Sequence, residues 1–150
     1  MAAFLLRSVT AMGVVGSSEG PTSQMLQILS SGLTVQGLYV AAELGVADEL
    51  AAGPRTVREL ARSAGAHPAA LNRLLRLLAG VGVFREEPDG RFALTPLGGC
   101  LRGEGPDSVR DWAVYLGSPR LREVVGAMRE TVRSGEPAFP GCTACPCGAT

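Results

Sequence analysis

Hydrophobic side chains recur at helical spacing along most of the chain, and what lies between them changes from stretch to stretch. From Thr22 to Ala42 no position is charged. Leu26, Leu29, Leu33 and Val40 follow one helical face, and Met25, Ile28, Val35 and Tyr39 follow another. A helix that is apolar on more than one side has to bury most of its surface. In a monomer the first face could fill a core, while the second would meet water. The pattern therefore predicts a helix with a subunit interface, and its candidate residues are Met25, Leu26, Ile28, Leu29, Leu33, Val35 and Tyr39. Gly32 and Gly37 cost helix propensity but would let another backbone approach closely. A membrane span is not expected, because Gln24, Gln27, Ser30, Ser31, Thr34 and Gln36 are too polar for hydrocarbon.

Beyond that stretch the punctuation is dense. Gly45 should end the first helix, and Val46–Ala52 reads as a short helical turn closed by Gly53-Pro54. Thr56-Val57-Arg58-Glu59 has the form of a capping box. Val57, Leu60, Ala61 and Ala64 then mark a two-turn helix ended by Gly65. Pro68 suits the first position of a second helix, striped by Leu71, Leu74, Leu75 and Leu78. Two β-type runs, Val83–Arg85 and Arg91–Leu94, flank the turn residues Pro88-Asp89-Gly90. Helix, tight turn, helix and hairpin in that order make a winged helix. Thr95 and Pro96 open a short helix expected to reach Arg102. Asp107 or Ser108 caps another through Leu116. A last helix is expected from Pro119 through Leu121, Val124, Val125, Met128 and Val132 to Ser134-Gly135.

Composition narrows the function classes. The chain has 150 residues, 46% hydrophobic and 19% charged, with a net charge of zero. That is one globular domain, and neither a disordered chain nor a globally basic nucleic-acid binder. All 14 basic residues are arginine, so no lysine can form a Schiff base or serve as a base. The single histidine, His67, falls in the turn before the second winged-helix helix and reads as a turn residue. Cys142, Cys145 and Cys147 give C-x-x-C-x-C without a second pair, and Cys100 stands apart. No metal site is expected from them. Residues 1–20 read as a disordered leader without the pattern of a secretory signal. The expected location is cytoplasmic, with reduced thiols.

The succession LYVAAELGVADELAAGPRTVRELARSAGAHPAALNRLLRLLAGVGVF, then DGRFALTPLGGCLR, VRDWAVYLG and SGEPAF, resembles one family. It is similar to the S-adenosylmethionine-dependent O-methyltransferases of small aromatic or polyketide molecules, in their N-terminal winged-helix domain. The resemblance implies a mainly α fold: a winged helix-turn-helix with a small β-hairpin wing plus additional dimerisation helices, over residues 21–139. It implies a partner, either a second copy or a full-length methyltransferase, whose helices intertwine with the first long helix and those after the wing. It also places Trp112, Tyr115 and Leu116, and more weakly Met128, in a lid over the acceptor. Each of the four could equally be ordinary packing.

The departure comes after SGEPAF. Where the family continues into a Rossmann-like catalytic domain, residues 140–150 form a divergent cysteine-rich tail. No strand–glycine-loop–helix unit for the cofactor occurs, and Gly80-Val81-Gly82 ends a helix instead. The expectation is a truncated chain with no catalytic or cofactor-binding residue of its own, inactive alone or a regulatory partner of a complete enzyme.

The alternative is a winged-helix DNA-binding regulator. Residues 54–91 carry Arg55, Arg58, Arg62, Arg73, Arg76, Arg85 and Arg91 against Glu59, Glu86, Glu87 and Asp89, a net of +3. Arg73 and Arg76 fall where a recognition helix would read bases. The acidic wing would repel phosphate, and so small a net charge releases few counterions.

Overall fold

Helix α1 (Pro21–Glu43) is 23 residues long, with Pro21 in its first turn. In the computed structural model, residues 20–137 are described. The expected leader up to residue 19 and the tail with Cys142, Cys145 and Cys147 lie outside them. α1 ends because Gly45 turns left-handed, with φ of 64°, while the Leu44 N–H still closes on Val40 O at 3.0 Å. That conformation costs glycine nothing. The short helix α2 (Val46–Glu49) follows.

The winged helix then forms as expected, with one addition. Strand β1 (Arg55–Thr56) leads directly into α3 (Val57–Ser63), and α4 (Pro68–Gly80) follows. β2 (Phe84–Glu86) and β3 (Arg91–Leu94) make the wing. The sheet has three antiparallel strands in the order β1-β3-β2. Phe84 pairs with Leu94 and Glu86 with Phe92, while Arg55 pairs with Phe92 on the other side. The sequence predicts a hairpin alone. Two residues carry no alternation, so β1 has no periodic signal.

Leu60 and Ala61 of α3, Leu71, Leu75 and Leu78 of α4, and Phe84 and Phe92 of the sheet form the core. Val46, Ala47 and Leu50 join from the α2 region, and Ala41 from α1. α5 (Pro96–Gly99) seats the wing against this core. Thr95 Oγ1 lies 2.8 Å from the carbonyl oxygens of Gly82 and Val83 and accepts the Gly98 N–H at 3.0 Å. A Cβ at Gly98 would fall 2.1 Å from Val83 O, so the close approach requires glycine there. α5 stops at Gly99 rather than Arg102, because the next residues close tighter turns, Leu101 N–H on Gly98 O and Arg102 N–H on Gly99 O. α6 (Arg110–Gly117) completes this unit.

Ser118 begins a second compact unit. α7 (Pro119–Gly126) is capped by the Ser118 hydroxyl, which accepts the Leu121 N–H at 3.3 Å. α8 (Met128–Ser134) ends at left-handed Gly135. The single helix expected from Pro119 to Ser134 is therefore two. The break falls at Ala127, directly after Gly126, the weakest helix former in the stretch.

The capping box of α3 is complete. Thr56 Oγ1 accepts the Glu59 N–H at 3.3 Å, and Glu59 accepts from the Thr56 N–H at 2.8 Å and hydroxyl at 2.6 Å. The hydroxyl bond first, then the backbone bond, hold the Glu59 carboxyl below its ordinary value of 4.5. A lowered folded-state value means the box stabilises above pH 4.5 and loses that contribution as the pH falls through the lowered value. Thermal unfolding measured from neutral pH downward should therefore show a shallower acid loss in Glu59→Gln than in the parent. Equal slopes below pH 4.5 would show that the box carries no pH linkage.

Candidate association surface

α1 turns its small residues inward and its large ones outward. Gly37, Ala41 and Ala42 are its buried positions. A Cβ on Gly37 would already touch Leu78, Leu74 and Leu77 of α4 at 3.3–3.4 Å. Met25, Leu26, Ile28, Leu29, Leu33 and Val40 are exposed, Leu29 at 69%. This corrects the expected division of faces. Leu26, Leu29, Leu33 and Val40 do not fill a core, and Val35 and Tyr39, expected to meet water, are half-buried. The reason is steric. The winged-helix core is filled by its own leucines and phenylalanines, so α1 approaches α4 through glycine and alanine. Gly32, by contrast, has open space around it.

α6 lies along α1. At their crossing Gly117 is buried against Tyr39, and a Cβ at position 117 would fall 2.0 Å from Tyr39 Cβ. From α6, Trp112 and Tyr115 project into solvent with their rings stacked at 5.5 Å and 28°. Leu116 is half-buried. The geometry thus brings Trp112 and Tyr115 together, beside a helix bearing most of the candidate interface residues. Met128 is exposed on α8, in the second unit. Leu97 and Val109, also exposed, escaped the sequence reading because each stands at an element end, outside any periodic stripe.

Polar groups along α1 are partly satisfied within the helix. The Ser30 hydroxyl donates to Leu26 O at 2.7 Å and the Ser31 hydroxyl to Ile28 O at 2.6 Å. By length and composition α1 could reach across a bilayer core. Such exposed side chains each gain about 1.5–3 kcal/mol on full burial, so a face of six is a strong drive to find cover.

The arginines of the winged helix are largely spent on neighbouring carboxylates. Arg76 lies 3.3 Å from Glu86, Arg85 2.7 Å from Glu87 and Arg91 2.7 Å from Asp89, while Arg55 pairs with Glu49. Asp89 accepts the backbone N–H of Arg91 and its side chain, and these bonds hold its carboxyl below the ordinary range. Arg73 donates to the carbonyl of Ala69 within its own helix, at 3.3 Å. His67 begins α4 without capping it by its side chain. Cys100 is half-buried. Among the described residues no group of three histidines, cysteines or carboxylates is placed to hold a metal ion.

Comparison with known proteins gives the surface a context. The sequence model of the O-methyltransferase dimerisation domain matches residues 26–102. The phenazine O-methyltransferase PhzM of Lysobacter antibioticus is 41% identical over 118 residues, which is 79% of this chain and 34% of its own. The crystal structure of LaPhzM has a TM-score of 0.76 at 40% identity, covering 81% of this chain and 36% of that one. NcsB1, an O-methyltransferase from neocarzinostatin biosynthesis solved with S-adenosylmethionine and 2-hydroxy-5-methyl naphthoic acid, has a TM-score of 0.65 at 37% identity. The match covers 83% of this chain and 37% of NcsB1. The chain therefore spans about a third of the length of the relatives it matches.

With the wing neutralised by its own carboxylates, duplex DNA should bind no tighter than the non-specific range, ~10⁻⁴–10⁻⁶ M at physiological salt. A gel-shift titration with random-sequence duplex checks this, and submicromolar binding with a steep salt slope would contradict it.

Proposed function

The chain belongs to the O-methyltransferase dimerisation domain family, and from that premise we propose that it pairs through α1 with a second copy of itself or with a methyltransferase of its family. The observation that carries this reading is the exposed row Met25, Leu26, Ile28, Leu29, Leu33 and Val40. Val35 and Tyr39, half-buried, stay candidates for the same contact. Protein is a better cover than lipid, because Gln24, Gln27, Thr34 and Gln36 share the helix with these residues. A cytoplasmic enzyme subunit fits that choice.

Trp112, Tyr115 and Leu116 make up the acceptor side of the reading, and Met128, exposed in the second unit, is carried only by the family resemblance. The exposed aromatic pair offers ring surface on which a small aromatic or polyketide acceptor can pack. The methyl donor of the family is S-adenosylmethionine. Positioning it takes a strand that runs through a glycine loop into a helix. Among the described residues the strands are two to four residues long and antiparallel, and none does so. Our reading is that these residues supply dimer contacts and lid, and no part of the donor site.

In a two-fold pair each substitution on α1 acts twice. Leu29→Asp should forfeit about 3–6 kcal/mol and raise the dissociation constant at least ~100-fold. Sedimentation velocity reads this directly. A parent chain that stays monomeric at tens of micromolar, with Leu29→Asp indistinguishable from it, would refute pairing through α1. Titration calorimetry of the 150-residue chain with S-adenosylmethionine should give heat of dilution alone. Saturable binding would place a donor site within this chain.

A further inference from the structure

α6 is held within its unit at both ends. At the C-terminal end, Gly117 lies against Tyr39 with no room for a Cβ. At the N-terminal end, the first residue is Arg110, a cation where the helix dipole disfavours positive charge. Its guanidinium finds an anion outside the helix: Arg110 Nη1 lies 3.6 Å from Asp48 Oδ2, on α2. The other oxygen of the same carboxylate, Asp48 Oδ1, accepts the backbone N–H of Gly103 at 2.9 Å. The guanidinium lies close over this backbone: a Cβ at position 103 would fall 2.6 Å from Arg110 Nη1. The intervening loop is closed on itself. The Val109 N–H donates to Cys100 O at 2.8 Å, and the Ser108 hydroxyl donates to Arg102 O at 2.6 Å. One carboxylate therefore ties the loop and the first turn of α6 to α2, across 55 residues of sequence.

We infer that Asp48 is a positioning residue: through Gly103 and Arg110 it sets where α6 starts, and so where Trp112 and Tyr115 stand beside the exposed face of α1. Its consequence for pairing rests on the function proposed above. The groups are too exposed for the ion pair to add much stability. What it supplies is direction at the N-terminal end, in addition to the packing of α6 along α1 and of Ala113 against the core.

Trp112 is the single tryptophan of the chain and lies two residues from Arg110, so its fluorescence reports α6 without a label. Asp48→Asn keeps an acceptor for the Gly103 N–H and loses the charge. Asp48→Ala loses both, and Arg110→Gln loses the guanidinium. Time-resolved anisotropy should show faster motion of Trp112 in Asp48→Ala, and less of it in Asp48→Asn and Arg110→Gln. Pairing measured by sedimentation should weaken about two- to five-fold. Adding Arg110→Gln to Asp48→Ala should change little further, because the partner is already gone. Glu49→Gln is the control. It removes the neighbouring ion pair of α2, with Arg55, and should leave Trp112 unmoved. Parent-like anisotropy in folded Asp48→Ala would overturn the assignment. So would an equal response to Glu49→Gln. Should Asp48→Ala fail to fold, Asp48→Asn and Arg110→Gln decide by the same anisotropy. A monomeric parent would refute the pairing reading on its own, and Trp112 would still decide the role of Asp48.

Discussion

Gly37 sits where three leucines of α4 leave room for a hydrogen and little more. That contact sets the distance of α1 from the winged helix and, with it, the use of the outer surface. At this close approach the fully buried positions are small, and Ala41 and Ala42 complete the strip, with Leu38 packed at its side. The large side chains that would ordinarily fill a core are turned out. The exposed row on α1 is thus the counterpart of a tight internal fit. The same constraint recurs at Gly117, where α6 meets Tyr39, and at Gly98, where α5 meets the wing.

The core and the exposed face divide the chain's chemistry between them. Leu60, Leu71, Leu75, Leu78, Phe84 and Phe92 belong to elements close together in sequence and are buried within the winged helix itself. Four of its arginines are paired with carboxylates, Arg55 with Glu49, Arg76 with Glu86, Arg85 with Glu87 and Arg91 with Asp89. Six of the exposed large apolar side chains lie on α1 and two, Trp112 and Tyr115, on α6, while Val125, Met128 and Val132 lie in the second unit. The helix-turn-helix is therefore a scaffold that holds α1 and α6 in place, and its second helix, α4, spends its leucines on holding α1.

Much of this was legible in the letters. Thr56 and Glu59 bracket α3, Gly45 stops α1 and Pro68 starts α4, because caps and breakers act over three or four residues and leave local signatures. β1 was not legible, since two residues paired across the sheet leave no pattern of their own. The stop at Ala127 hid inside a stripe that runs unbroken from Leu121 to Val132. Periodicity found both faces of α1 but not which of them looks inward. That choice depends on Leu74, Leu77 and Leu78, more than thirty residues on, meeting a glycine rather than a leucine. Trp112 and Tyr115 came from family resemblance, and no spacing in the chain pairs their rings.

Ser30 and Ser31 bear on α1 in a different way. On a hydropathy scale they interrupt it, and with the glutamines they make the stretch look half polar. In the folded helix each hydroxyl has already given its proton to a carbonyl of the preceding turn. Water covering these residues is held by spare lone pairs rather than by an unmet donor. Displacing it leaves no donor unmet, and only the lone pairs still require a partner. A protein that closes over these two positions therefore has to offer donors and no acceptors.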